Sequence, residues 1–141
     1  MGACLRSAAG ADVDAVIVPK NRSCHLTPVV RKISTGASEL IPFVVVTNLV
    51  RTINKLQKNG LIIYGADLSA TESHDEVEYS RKKGIVIGSE DKGIRKLTRD
   101  NCDQLIKINM SERIESLNAS VSAGILLFEM RRQIKINSQQ I

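Results

Sequence analysis

Apolar residues along this chain fall in short runs divided by polar stretches, and the runs alternate between two periodicities. Val13-Asp14-Ala15-Val16-Ile17-Val18, closed by Pro19, reads as a buried strand. Ile41-Pro42-Phe43-Val44-Val45-Val46, Leu61-Ile62-Ile63-Tyr64, Ile85-Val86-Ile87 and Leu105-Ile106-Lys107-Ile108 read the same way. Between them the period lengthens. Thr27 and Pro28 suit the N-cap and first position of a helix with Val29, Val30 and Ile33 on its apolar face. Thr47 or Asn48 caps a second helix carrying Leu49, Ile53 and Leu56, which Gly60 ends. A short helix is expected around Ile94 to Cys102. A long one is expected from about Leu117 to Ile134, with Val121, Ile125 and Phe128 as its buried stripe. The polar stretch from Ser69 to Lys83 reads as a loop with a short helix.

Apolar strands alternating with helices predict an α/β fold with a mostly parallel sheet covered by helices on both faces. No internal repeat or linker divides the chain, so residues 1–136 are read as one domain and 137–141 as a frayed tail. With 141 residues, 43% hydrophobic and 25% charged, the chain can build a real core. No apolar run approaches the roughly 20 residues that span a bilayer, and no signal peptide is visible. Three scattered cysteines, Cys4, Cys24 and Cys102, lack metal-ligand or redox spacing and suit structural thiols in a reducing cytoplasm. His25 and His74 stand in polar segments without ligand spacing, so no metal is assigned.

The net charge of +5 favours a polyanionic partner, while 3% aromatics and no Trp argue against a base-stacking platform. RNA, if bound, would be held through phosphate contacts and shape. Lys92, Arg95, Lys96 and Arg99 could face it, or could form an ordinary solvated helix face.

Two polar loops stand out. Gly88-Ser89-Glu90-Asp91-Lys92-Gly93 follows a strand, where open α/β sheets place ligands. It is no Walker loop, because Ile94 and Arg95 replace the required Lys and Ser/Thr, and no G-x-G-x-x-G occurs. By its residues alone it also reads as a tight turn needing glycine conformations. The second loop, Glu115-Ser116-Leu117-Asn118-Ala119-Ser120, opens the long helix, and Ser or Asn there suits an N-cap.

Taken in order, these loops closely resemble the two signature motifs of the SpoU family of S-adenosylmethionine-dependent RNA ribose 2'-O-methyltransferases, of the SPOUT class. Gly88, Glu90 and Gly93 match its G-[SA]-E-x-x-G loop, and Ser116, Leu117, Asn118 and Ser120 match its S-L-N-x-S segment. Asp91 departs from a glycine common there. The resemblance implies a C-terminal trefoil knot and a methyl-donor pocket touched by Gly88, Ile108 and Leu117, with apolar Ile108 and Met110 around the adenine. It implies a catalytic centre of Arg6, Glu90, Ser116 and Asn118, and no metal. Gly2 and Arg6 match the family's first motif, whose preceding strand and Asn are absent, so an N-terminally incomplete catalytic domain is expected. An arginine stays protonated, so Arg6 would hold a phosphate and stabilise a developing alkoxide.

The resemblance also implies a homodimer packed around the knot and the last helix, where Leu126, Leu127 and Phe128 serve either that interface or the core. Within the family, Val18-Pro19-Lys20, Thr27-Pro28 and Val46-Thr47-Asn48-Leu49 look most like the branch methylating a guanosine of large-subunit ribosomal RNA. A tRNA guanosine 2'-O-methyltransferase and a non-catalytic remnant that dimerises or binds RNA are the alternatives.

Overall fold

A computed structural model describes residues 13–20, 42–88, 93–111 and 119–139. The expected helix at Thr27, the expected N-terminal gap, and the positions of Gly2, Cys4, Arg6, Cys24, Glu90, Asp91, Lys92, Ser116, Leu117 and Asn118 lie outside these residues.

All strand pairing among the described residues is parallel. β1 (Val16–Pro19) pairs with β2 (Phe43–Val46) in the register Val16↔Phe43. β3 (Ile62–Ala66) lies between β4 (Lys83–Val86) and β5 (Gln104–Ile106) in the order β4-β3-β5. Tyr64 pairs with Ile85 on one side and with Gln104 on the other. The β-rich runs thus become strands as their composition requires, and β3 continues through the small residues Gly65 and Ala66.

Helix α1 (Leu49–Lys58) begins where expected. Asn48 is its N-cap, and its side chain accepts a hydrogen bond from the Arg51 N–H at 3.1 Å. Gly60, at φ +91°, turns the chain back into β3. Ile53 is the buried residue of α1, which packs on β3. Gln57 ties the helix to the segment between α2 and β5 through a hydrogen bond from its Nε2 to the Asn101 carbonyl at 2.7 Å. Helix α2 (Lys96–Asp100) precedes β5, and helix α3 (Ala119–Gln139) follows it, extending past Ile134.

Parity assigns the faces. Tyr64 and Ile106 point to one side of the sheet, where they cluster with Val77, Tyr79, Leu126 and Met130. Ile63 and Gly65 point to the other, since strand side chains alternate. A Cβ on Gly65 would come within 3.3 Å of Cys102 Sγ, Leu105 Cδ2 and Ile94 Cδ1, so this face is closed by the α2 region. The three-stranded sheet is therefore covered on both sides, α1 and α2 on one and α3 on the other.

Two sequence expectations change. No helix forms between Ser69 and Lys83. This segment instead crosses from β3 toward β5, where Ser73 bridges Lys107 and the His74 N–H donates to the Lys107 carbonyl at 2.8 Å. It then buries Val77 and Tyr79 against α3. Gln133 of α3 pins it, donating to the Val77 carbonyl at 2.8 Å and accepting from the Tyr79 N–H at 3.1 Å. The buried stripe of α3 is Ala123, Leu126 and Met130, whereas Val121 and Phe128 are 49% and 46% exposed. The apolar period was correct and its phase was not, because α3 has apolar residues on more than one face. Leu126, fully buried, belongs to the core. Among the described residues no helix is long and apolar enough to cross a membrane.

Candidate active site

Because β3, β4 and β5 are parallel, their C-terminal ends open on one edge. The chain leaves β3 at Asp67, β4 at Ile87 and Gly88, and β5 at Lys107 and Ile108. Gly88 and Ile108 therefore flank the end of the central strand, about 10 Å apart across two strand spacings. Both belong to the set expected from sequence to touch the methyl donor, and the topology brings them to the same edge.

Gly88 is required by close approach. A Cβ there would overlap the Gly93 carbonyl carbon and oxygen and the Ile94 nitrogen, so the two ends of the Gly88–Gly93 loop meet backbone to backbone. Gly93 holds φ +64°, where an L side chain is strained. The glycine spacing thus brings the two ends of this loop together at a strand exit. Ile108 is half-buried and packs against the cluster of Tyr64, Ile106 and Leu126, which makes it an apolar wall braced by the core.

A polar cluster stands between these two exits. The Asp67 carboxylate accepts hydrogen bonds from the Ser69 N–H and hydroxyl, both at 2.8 Å, and lies 3.4 Å from the Arg99 guanidinium. Burial raises the Asp67 pKa, but the Ser69 hydrogen bonds and the Arg99 charge outweigh it and hold the carboxyl below its ordinary value. Arg99 is thereby joined to the β3 exit rather than standing free for RNA. On the other flank, Asn109 Nδ2 donates to the buried Ser73 hydroxyl at 3.1 Å and fixes the residue after Ile108. The sequence reading missed Asp67, Ser69 and Asn109. The Asp-x-Ser spacing just after an apolar strand was the available signal, being that of a side-chain-to-backbone turn.

Cys102 is a half-buried free thiol. Burial and the nearby Asp103 and Asp67 carboxylates push its pKa up to about 11, so it is not a nucleophile near neutral pH. Among the described residues no group of three His, Cys, Asp or Glu side chains is arranged to hold a metal ion.

Comparison with known proteins bears on the same edge. The model of the SpoU rRNA Methylase family matches residues 1–128. The chain is 48% identical over 139 residues to a 23S rRNA (guanosine-2'-O-)-methyltransferase, RlmB, of Pseudomonas putida, covering 96% of this chain and 55% of that protein. It is 49% identical to the protein of the same name in Coxiella burnetii, with 94% and 53% covered. The chain thus spans about half the length of the curated relatives it matches. Among solved structures, an RNA 2'-O ribose methyltransferase superposes with a TM-score of 0.83 at 27% identity, over 95% of this chain and 51% of that one. The SpoU methyltransferase AviRb of Streptomyces viridochromogenes, solved in complex with AdoMet, gives a TM-score of 0.86 at 24% identity, over 96% of this chain and 55% of that one. With a family match over most of its length and a parallel sheet whose exits carry the family's glycine loop, the chain belongs to the SpoU rRNA Methylase family.

Proposed function

We propose that this chain is the catalytic part of an S-adenosylmethionine-dependent RNA ribose 2'-O-methyltransferase acting on a guanosine of large-subunit ribosomal RNA. One observation carries the reading: the loop closed by Gly88 against Gly93 stands at the exit of β4, on the same sheet edge as Ile108, in a chain 48% identical to a 23S rRNA guanosine methyltransferase. S-adenosylmethionine, when bound, supplies an electrophilic methyl group carried on a sulfonium.

The protein's own residues then have separate tasks. Gly88, Ile108 and Leu117 hold the donor, through backbone groups at the two loops and through the apolar Ile108 wall. Arg6 positions an RNA phosphate and stabilises negative charge developing on the ribose oxygen. Asn118 and Ser116 orient the acceptor, and Glu90 orients its neighbours. Methyl transfer from a sulfonium is an in-line displacement, so holding the acceptor oxygen on the far side of the methyl carbon is the main contribution a protein can make. As part of this reading, the segment between β5 and α3 forms the family's trefoil knot, two copies assemble as a homodimer, and the protein works in the cytoplasm.

The test is calorimetric titration of the folded chain with S-adenosylmethionine, followed by transfer of labelled methyl to ribosomal RNA and to tRNA. Donor binding with transfer to a ribosomal RNA guanosine is the expected result. Arg6→Ala and Asn118→Ala should each lower transfer by on the order of 100-fold with the fold intact. Transfer to tRNA alone, or a folded chain that binds no donor, would overturn the reading.

A further inference from the structure

Helix α1 presents a face that neither the fold nor the donor site uses. Its sequence, LVRTINKLQK, contains no acidic residue. Arg51, Lys55 and Lys58 are exposed and follow one another at helical spacing, forming a stripe about 10 Å long at 1.5 Å per residue. None of the three has an ion-pair partner among the described residues. Arg51, Lys55 and Lys58 also line, with Asn48, Val50 and Asn54, a shallow open hollow of about 360 Å3.

Helix electrostatics account for part of this stripe only. Lys55 and Lys58 lie in the last turn, where cations interact favourably with the helix dipole. Arg51 lies in the first turn, where a cation is disfavoured. Two other helices contrast with α1, because Arg99 of α2 is joined to Asp67 and Arg132 of α3 to Glu129. Orientation adds a further argument. Gly60 turns the chain directly from α1 into β3, so the helix runs antiparallel to the strand. Asn48 and Arg51 therefore stand toward the edge carrying Gly88 and Ile108, and Lys58 stands away from it.

We propose that the outer face of α1, through Arg51, Lys55 and Lys58, is a docking surface for the phosphate backbone of the substrate RNA, leading away from the strand-exit edge. The proposal rests on the RNA-methyltransferase reading and adds where the strand lies. A row of cations without acidic partners matches a polyanion. The chain's 3% aromatic content leaves phosphate contacts rather than stacking to supply affinity.

The experiment compares two double variants of the full chain with the same change in charge. Arg51→Gln/Lys55→Gln alters the stripe. Arg81→Gln/Lys82→Gln removes two exposed cations just before β4, at the opposite end of the strands. Binding of a fluorescein-labelled RNA stem–loop is measured by anisotropy across a salt series, and S-adenosylmethionine binding by calorimetry.

The stripe variant should lower the slope of log K against log salt by about 1.4–1.8, for two lost phosphate contacts. Taking equal affinity at molar salt, that is a loss of roughly 25- to 60-fold at tenth-molar salt. The control pair should change little, and donor binding should be the same in both. Equal losses in the two variants would mean that only net charge matters, and would overturn the proposal. Unchanged RNA binding in both, with a wild-type chain that binds, would remove the surface and leave the methyltransferase reading standing. A wild-type chain that binds the donor and no RNA would overturn the surface and the RNA substrate together.

Discussion

In β3 the consecutive residues Ile63 and Tyr64 are 2% and 3% exposed, whereas in β2 the consecutive residues Val44 and Val45 are both 42% exposed. Neighbouring strand residues face opposite sides, so among the described residues β3 is covered on both faces and β2 on neither. The residue types barely differ. What differs is the company: β3 has a paired strand on each edge, α1 and α2 on one face and α3 on the other, while β2 pairs with β1 alone among the described residues. The candidate donor-binding residues Gly88 and Ile108 leave strands paired to β3. A site built on strand exits needs ends that do not shift, and close burial on both faces gives that rigidity.

The comparison breaks most sharply in the shared core. Leu126→Ala removes a fully buried side chain from the cluster beneath β3 and β5, and should cost about 3–5 kcal/mol in urea unfolding. A cost near that of a surface change would mean that α3 does not brace the sheet.

Gly88→Ala should lower S-adenosylmethionine affinity by about 100-fold, close to 2.7 kcal/mol, because a Cβ overlaps the Gly93–Ile94 peptide. Calorimetric affinity unchanged from the parent would separate Gly88 from the donor site.

Gln133→Ala leaves the Val77 carbonyl and Tyr79 N–H without their partner, and should cost about 1–3 kcal/mol. Hydrogen exchange at the Tyr79 amide should speed up, while exchange in β1 and β2 stays as it was.

Asp67→Asn should have a smaller effect, visible in the pH dependence. The folded-state pKa of Asp67 is lowered, so its stabilisation is present above the unfolded carboxylate pKa and is lost as pH falls through the folded value. The variant should be less stable than the parent at neutral pH and lose stability less steeply on acidification. Melting curves for the two should converge at low pH, and parallel curves would remove Asp67 from that loss.

The smallest change is expected in the open sheet. Val45→Thr should alter stability by less than about 0.5 kcal/mol, since the side chain is far from fully buried. A cost above 1 kcal/mol, on the order of a lost packing contact, would show that β2 is covered in solution.

Local chemistry makes much of this molecule legible in the order of its residues. The strand runs, the Asn48 cap, the Gly60 turn and the closed loop from Gly88 to Gly93 each depend on residues near one another in sequence, where period, capping and glycine geometry act directly. The α/β class followed from the alternation of periods. Gly88 and Ile108 were identified through the resemblance, and the β4-β3-β5 order then brought them to one edge.

Other features were decided only when distant segments met. Val77 and Tyr79 sit in a polar stretch that no periodicity marks as core, and they are buried because the segment from Ser69 to Lys83 crosses to β5 and is held by Gln133, more than fifty residues later. The helix α3 is apolar on several faces, so its sequence could not choose between the stripe of Val121 and Phe128 and the stripe of Ala123, Leu126 and Met130. Arg99 and Asp67 are ordinary charges in sequence and become an ion pair only because α2 packs beside the end of β3. By itself, then, the sequence determined the described strands, the helices α1 to α3 and the glycines that close the loop, because those depend on short-range sterics and hydrogen bonding. Tertiary structure decided which faces are buried and which charges are paired, because burial and pairing depend on neighbours that only the folded chain brings together.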